Sequence, residues 1–294
     1  MSRIAVTMSV VSIALFAVAS SGHAQDWRTV TSLRQFKAET ELTVDVEYGA
    51  GRLFIAPGDA NALYRATLRY DAKAFRPLTQ YNDGRLRIGI EGGSIKGRNM
   101  KSGRLDLALG TRVPLNLNLK FGAVRAQMEL GGLRISQAHI QTGASETDLT
   151  VSSQNGEPCS LMKVEVGAAA FNAAGLGNLN CERFEVSGGV GDVKLDFNGA
   201  WRVDSDIDID MGLGSLTLSV PRGLGMRVRK SGFLASFDSQ GLVKRGNVYY
   251  SENWEQATNR ITVNIDAAFG SIRVVWVDPE AQFTKAARNA ERSN

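Results

Sequence analysis

The chain has 294 residues, 43% of them hydrophobic but only 7% aromatic, with 31 glycines, two cysteines and two histidines. Thirty-four Lys and Arg against 30 Asp and Glu give +4, a near-balance that argues against a dedicated nucleic-acid partner. Two histidines are too few for a multi-histidine metal centre, and no cofactor is implied.

Arg3, an apolar run from Ile4 to Ala19 and a small-residue exit from Ser20 to Ala24 read as a secretory signal peptide cleaved after Ala24. Its loss takes Arg3 and lowers the net charge from +4 to +3. No Cys follows the run, against a lipoprotein, and no other stretch is apolar for long enough to span a bilayer as a helix. The expected layout is a signal peptide over 1–24, a lead over 25–40, one β domain over 41–278 and a flexible tail over 279–294. The locally basic stretch Lys96 to Arg104 lacks interleaved aromatics and reads as a solvated loop.

From Leu42 to Ile55 apolar residues alternate, stop at Gly49-Ala-Gly51, and alternate again; period two marks strands with one buried face. Leu63 to Tyr70, Arg85 to Ile90 and Leu105 to Leu109 are further strand candidates, with a turn signal at Tyr81-Asn-Asp-Gly84. The pattern then recurs around Gly122, Gly143, Gly167, Gly189 and Gly212, at intervals of 21, 24, 22 and 23 residues. A last copy, Ile261 to Val274 with Gly270, follows a less regular segment over 222–259 that reads as an insertion or cap. A regular spacing of this kind is a repeat architecture.

The apolar positions change parity across each break: Val44 and Val46 give way to Leu53 and Ile55, and Ile207 and Ile209 to Leu216 and Leu218. Both halves face one core only if the backbone turns a corner there. Gly49, Gly51, Gly122, Gly143, Gly167, Gly189, Gly191, Gly212, Gly214 and Gly270 are the expected corners. The Gly-x-Gly pairs stand between strands without a following helix, which removes a nucleotide-loop reading. The fold expected is an all-β, single-stranded parallel β-solenoid with coils of 21–24 residues, against an antiparallel meander or sandwich, because hairpins with even loops also flip parity.

Cys159 and Cys181 are 22 residues apart, each eight residues before the leading glycine of its copy. In stacked coils equivalent positions lie about 4.8 Å apart, within disulfide reach, so a Cys159–Cys181 disulfide between neighbouring coils is expected.

Laid out in this way the chain resembles the bacterial toast-rack family, related to the C-terminal domain of LiaF-like proteins and to DUF4097-type adhesin-like proteins. The resemblance rests on Val46-Glu-Tyr-Gly-Ala-Gly51, Val166 to Phe171 with Gly175-Leu-Gly-Asn178, Gly189-Val-Gly191, Phe197 to Trp201, and Gly212 to Leu216. It covers about residues 40 to 275 and implies a β-solenoid in the cell envelope, with no catalytic residues. LiaF-like proteins join such a domain to membrane helices, which this sequence does not show.

Three sets of side chains merit a chemical reading. His139 lies on the outward phase opposite Ile140 and reads as a solvated strand residue. Asp206, Asp208 and Asp210 share one strand face and would suit Ca²⁺ or glycan chemistry, although alternate acids also keep a strand soluble. Trp201, Tyr249, Tyr250 and Trp254, near Arg227, Arg229, Lys244 and Arg245, would make a ligand platform or plug the end of the core. No catalytic set emerges. The function expected is an exported, non-catalytic scaffold, adhesin-like or binding module, in the periplasm or at the surface, with an envelope glycan or protein as partner and self-association through its ends or edges. The alternatives are a polysaccharide-active enzyme on the same scaffold and a regulatory partner of an envelope-stress sensor.

Overall fold

The computed structural model describes residues 26–91, 103–232 and 234–278. The expected signal peptide, most of the basic stretch 96–104 and the tail over 279–294 lie outside the described residues.

Alternating apolar and polar residues produce strands almost throughout. In chain order they are β1 (Trp27–Gln35), β2 (Leu42–Pro57), β3 (Ala62–Asp71), β4 (Arg76–Asn82), β5 (Arg85–Glu91), β6 (Arg104–Leu109), β7 (Leu115–Glu129), β8 (Ile135–Thr142), β9 (Glu146–Thr150) and β10 (Cys159–Ala174). After one 3₁₀ turn at Leu176–Asn178 come β11 (Cys181–Asp196), β12 (Ser205–Pro221), β13 (Gly225–Ser231), β14 (Leu234–Asp238), β15 (Leu242–Arg245), β16 (Val248–Ser251) and β17 (Arg260–Val277). The lead over 25–40 thus contains a strand, and the less regular segment 222–259 contains four.

The copies spaced by glycines pair in parallel. β7 lies against β8 and β9, these against β10, then β10 against β11, β11 against β12, and β12 against β17. Repeat positions meet their equivalents, as in Val164↔Val186 and Phe184↔Ile207. The ends are antiparallel: β3 on β6, β1 on β3 and β4 on β5 at one, and β16 on β13 with β15 on β16 at the other.

The long strands run through their glycine breaks, and burial changes parity there. Val44 and Val46 are buried before the break in β2, and Leu53 and Ile55 after it. The ladder between β11 and β12 passes from Gly188↔Met211 to Val190↔Leu213, leaving Gly189 and Gly212 unpaired with the register unchanged, so both strands turn the corner together. The expected corner glycines divide into two kinds. Gly191, Gly214 and Gly270 have φ of +136°, +149° and +132°, as does Gly51 at +130°. The leading glycines have no positive φ; at Gly122 and Gly212 a Cβ would stand 2.4 Å from the carbonyl oxygen of the preceding copy.

One apolar core extends from Leu42 to Val274 inside the strands. Each fully buried Leu, Ile or Val contributes about 1.5–3 kcal/mol relative to exposure. Cys159 and Cys181, in direct register on β10 and β11, form the disulfide that their spacing predicts. On the turn side, Asn155 is 2% exposed and acts as a clamp. Its amide donates to the carbonyls of Ile135 (2.7 Å), Glu157 (2.9 Å) and Leu179 (3.2 Å), while Oδ1 accepts from Ile135 N–H at 2.9 Å. Asn155→Ala orphans these groups and is expected to lower stability by about 2 kcal/mol, read from chemical denaturation.

Candidate functional site

Because the copies are in register, outward residues form rows across the sheet. One row runs from Asp45 through Asn118, His139, Lys163 and Glu185 to Asp208 and Asn264. Along most of it, charge is matched locally. Lys163 lies 3.1 Å from Glu165 and 3.7 Å from Glu185, His139 lies 3.5 Å from Glu165, and Asn118 donates to Asp45 at 3.0 Å. A hydrogen bond from the Gln141 amide, followed by one from Lys163, holds the Glu165 carboxyl below its ordinary range. His139 is therefore one member of a polar row.

The row ends differently where β12, β17 and β13 lie side by side. Asp206 and Asp208 on β12 align with Thr262 and Asn264 on β17, and these align with Arg227 and Arg229 on β13. With β17 between them, acids and guanidiniums are set apart by two strand spacings, about 9.6 Å. Among the described residues none of these four side chains makes an ion pair; Asp208 accepts a hydrogen bond from Asn264 at 2.9 Å. The resulting trough has a volume of about 310 Å³ and is also lined by Arg183, Val248 and Tyr250.

The opposite end of the molecule supplies a contrast from similar residues. There Asp45-Val-Glu47 on β2 adjoins Arg85-Leu-Arg87 on β5 directly. Arg85 meets Asp45 at 2.5 Å and Arg87 meets Glu47 at 3.4 Å, and the hydrogen bond that Arg85 donates to Asp45 raises the Arg85 pKa. Adjacent strands satisfy the charges, whereas an intervening strand leaves both signs available.

The four aromatic candidates do not converge. Tyr250 and Trp254 meet edge to face at 5.7 Å beside the trough, with Arg227 and Arg260 over the Trp254 ring at 5.7 and 5.5 Å and Arg245 over Tyr250 at 5.3 Å. Tyr249, its strand neighbour, lies edge to face with Phe237 at 4.9 Å and packs against the core. Trp201 packs on Phe184 and Phe197 and donates its indole N–H to the Phe197 carbonyl at 2.8 Å. It packs against the core at the turn between β11 and β12.

The alternating acids do not gather into a metal centre: among the described residues no three His, Cys, Asp or Glu side chains are grouped to hold an ion. What the trough offers is recognition. Two guanidiniums suit a carboxylate, Asp206, Asp208, Asn264 and Thr262 suit hydroxyls, and the Tyr250 ring gives an apolar face. Residue patterning alone did not link Arg227 and Arg229 to the acids, although the alternation Met226-Arg-Val-Arg229 marks the strand that carries them.

Residues 21–172 and 155–219 match the family model described as the N-terminal domain of toast_rack, DUF2154. Among solved structures, the chain is similar to a candidate cell adhesion protein from Clostridium sporogenes, at 17% identity over 86% of this chain and 100% of that one, with TM-score 0.45. It is also similar to a candidate adhesin from Bacteroides fragilis, at 15% identity over 84% and 97%, with TM-score 0.40. A candidate lipid binding protein from Parabacteroides distasonis follows at 12% identity over 85% and 97%, with TM-score 0.34. No curated protein matches the chain, and no described helix is long and apolar enough to cross a membrane.

Proposed function

The chain belongs to the family of the toast_rack N-terminal domain, and from that premise we propose that it is an exported, non-catalytic β-solenoid that binds a carboxylate-bearing glycan of the cell envelope. The parallel, in-register stacking of copies supports the solenoid reading. A buried disulfide supports folding in an oxidising compartment.

The unmatched charge of the trough carries the binding reading. Arg227 and Arg229 stand without acid partners beside Asp206 and Asp208, whereas the same residue types at the other end neutralise one another. A uronate-type sugar would complete the site: its carboxylate on the guanidiniums, its hydroxyls on the acids and Asn264, its ring edge against Tyr250.

Titration of the mature chain with a uronic-acid oligosaccharide and with its neutral counterpart provides the test. The acidic sugar is expected to bind at least about tenfold more tightly, and the Arg227→Ala/Arg229→Ala double variant to lose about tenfold or more without a change in melting temperature. Equal binding of the neutral sugar, or an unaffected double variant, removes the proposal. Release of shortened oligosaccharide on incubation, lost in Asp206→Asn or Asp208→Asn, would replace binding with catalysis.

A further inference from the structure

The corners create a second surface, which adjoins the trough at a small cavity lined by Asp208, Asp210, Arg229 and Asp266. A groove of about 1230 Å³ crosses the strands along the leading glycines, with Gly122, Gly143, Gly167, Gly189 and Gly212 as its floor. Eight successive strands border it, from β5 through β2, β7, β8, β10, β11 and β12 to β17, a length of about 34 Å at 4.8 Å per spacing. Glycine leaves the main chain bare, so another backbone can approach closely.

The lining of the groove and the ridge that flanks it past the glycines differ in chemistry. Beyond the glycines, the pairings Val190↔Leu213, Leu213↔Phe269 and Phe269↔Leu234 line up four apolar side chains on consecutive strands. All four are exposed, from 49% at Phe269 to 60% at Leu234. At the first-copy end of the same row stand Ala50 and Ala123, so the ridge grows from alanine to Val, Leu and Phe along the molecule. A continuous row of large exposed apolar residues marks an interaction surface, whereas scattered ones do not.

The lining carries Glu47, Glu165, Asp210 and Asp266 with Lys120, and Arg229 lies near Asp210 and Asp266 in a small adjoining cavity. Glu47 and Glu165 have cationic partners, but among the described residues Asp210 and Asp266, in direct register on β12 and β17, have neither an ion pair nor a hydrogen bond. Like charges directly opposite on neighbouring strands repel. Three residues farther along the same two strands, past the glycine corner, stand Leu213 and Phe269 of the ridge. Farther along, Thr142 lines the same groove at 7% exposure, and its Oγ1 has no hydrogen-bond partner.

We propose that this corner groove docks an extended segment of a partner protein in which cationic and apolar side chains alternate. In an extended chain successive side chains point to opposite sides, so one set reaches Asp210 and Asp266 while the other covers Leu213 and Phe269. The glycine floor admits the main chain. From β8 to β17 the span is four spacings, about 19 Å, which six extended residues cover. The net negative lining disfavours the headgroups of an anionic membrane.

Fluorescence anisotropy with labelled hexapeptides tests this on the mature chain. Lys-Leu-Lys-Leu-Lys-Phe is expected to bind at least about tenfold more tightly than Glu-Leu-Glu-Leu-Glu-Phe or the block Lys-Lys-Lys-Leu-Leu-Phe. Asp210→Asn/Asp266→Asn and Leu213→Ser/Phe269→Ser should each weaken binding by about tenfold. All four positions are at the surface, so melting temperatures should hold. Arg227→Ala should leave peptide affinity intact, which separates this surface from the glycan trough. The proposal is overturned if the three peptides bind alike, if either double variant binds at full strength, if the chain binds phosphatidylglycerol vesicles through Phe269, or if it self-associates in a Phe269-dependent manner.

Discussion

Gly214→Ala is expected to lower the melting temperature by about 10 °C or more. At φ +149° the backbone of Gly214 occupies a region that L-residues rarely adopt, and a Cβ there would lie 1.8 Å from the Gly191 carbonyl oxygen. The conformational strain alone costs about 1–3 kcal/mol. The clash adds to it, because the obstacle is main chain of the neighbouring copy and that chain cannot rotate away. In turn the Gly214 carbonyl lies 1.8 Å from where a Cβ at Gly270 would be, so displacement passes to a third strand. Gly49→Ala is the control. An added Cβ there meets no atom within 4 Å, and a change of no more than about 0.5 kcal/mol is expected. Equal melting of the two variants would show that the corners are not what restricts these glycines to their type.

Cys159→Ser/Cys181→Ser should lower stability by about 3 kcal/mol relative to the oxidised wild type, read from the urea midpoint. The crosslink closes a loop of 22 residues between adjacent copies, a constraint that acts mainly on the unfolded chain. Both sulfurs belong to buried residues at the start of β10 and β11. The native state should therefore resist mild reductant, and the loss of stability should emerge only once the chain has been unfolded and reduced. An unchanged midpoint for the double variant would refute the estimate.

The interior of the molecule was legible in the sequence for a physical reason. A strand displays alternate residues on opposite faces, so the step from Val46 to Leu53 and from Ile209 to Leu216 could only keep one core through a corner. The placement of each Cys eight residues before a leading glycine likewise fixed their register. Periodicity, however, reports which face is buried and not which strand lies alongside. For that reason the trough was not legible: Asp206 and Asp208 were visible as a polar face, as were the arginines at 227 and 229, but not the strand that holds them apart. Tyr249 and Tyr250 show the same limit, since adjacent strand residues face opposite ways and the sequence does not say which one meets solvent. The lead over 25–40 concealed β1 because its alternation is half-buried throughout and lacks a strong apolar phase.

The spatial order at the two ends of the fold differs from the order of synthesis. β17 lies between β12 and the earlier pair β13 and β14, just as β2 lies between the later pair β5 and β6 and the strand β7. A growing chain that has reached residue 259 therefore has an open β12 edge with β13 and β14 already available to occupy it. The last strand must take that place, like a latch closing into a slot. Only that strand keeps Asp206 and Asp208 apart from Arg227 and Arg229, so a chain truncated before residue 260 is expected to lose the trough.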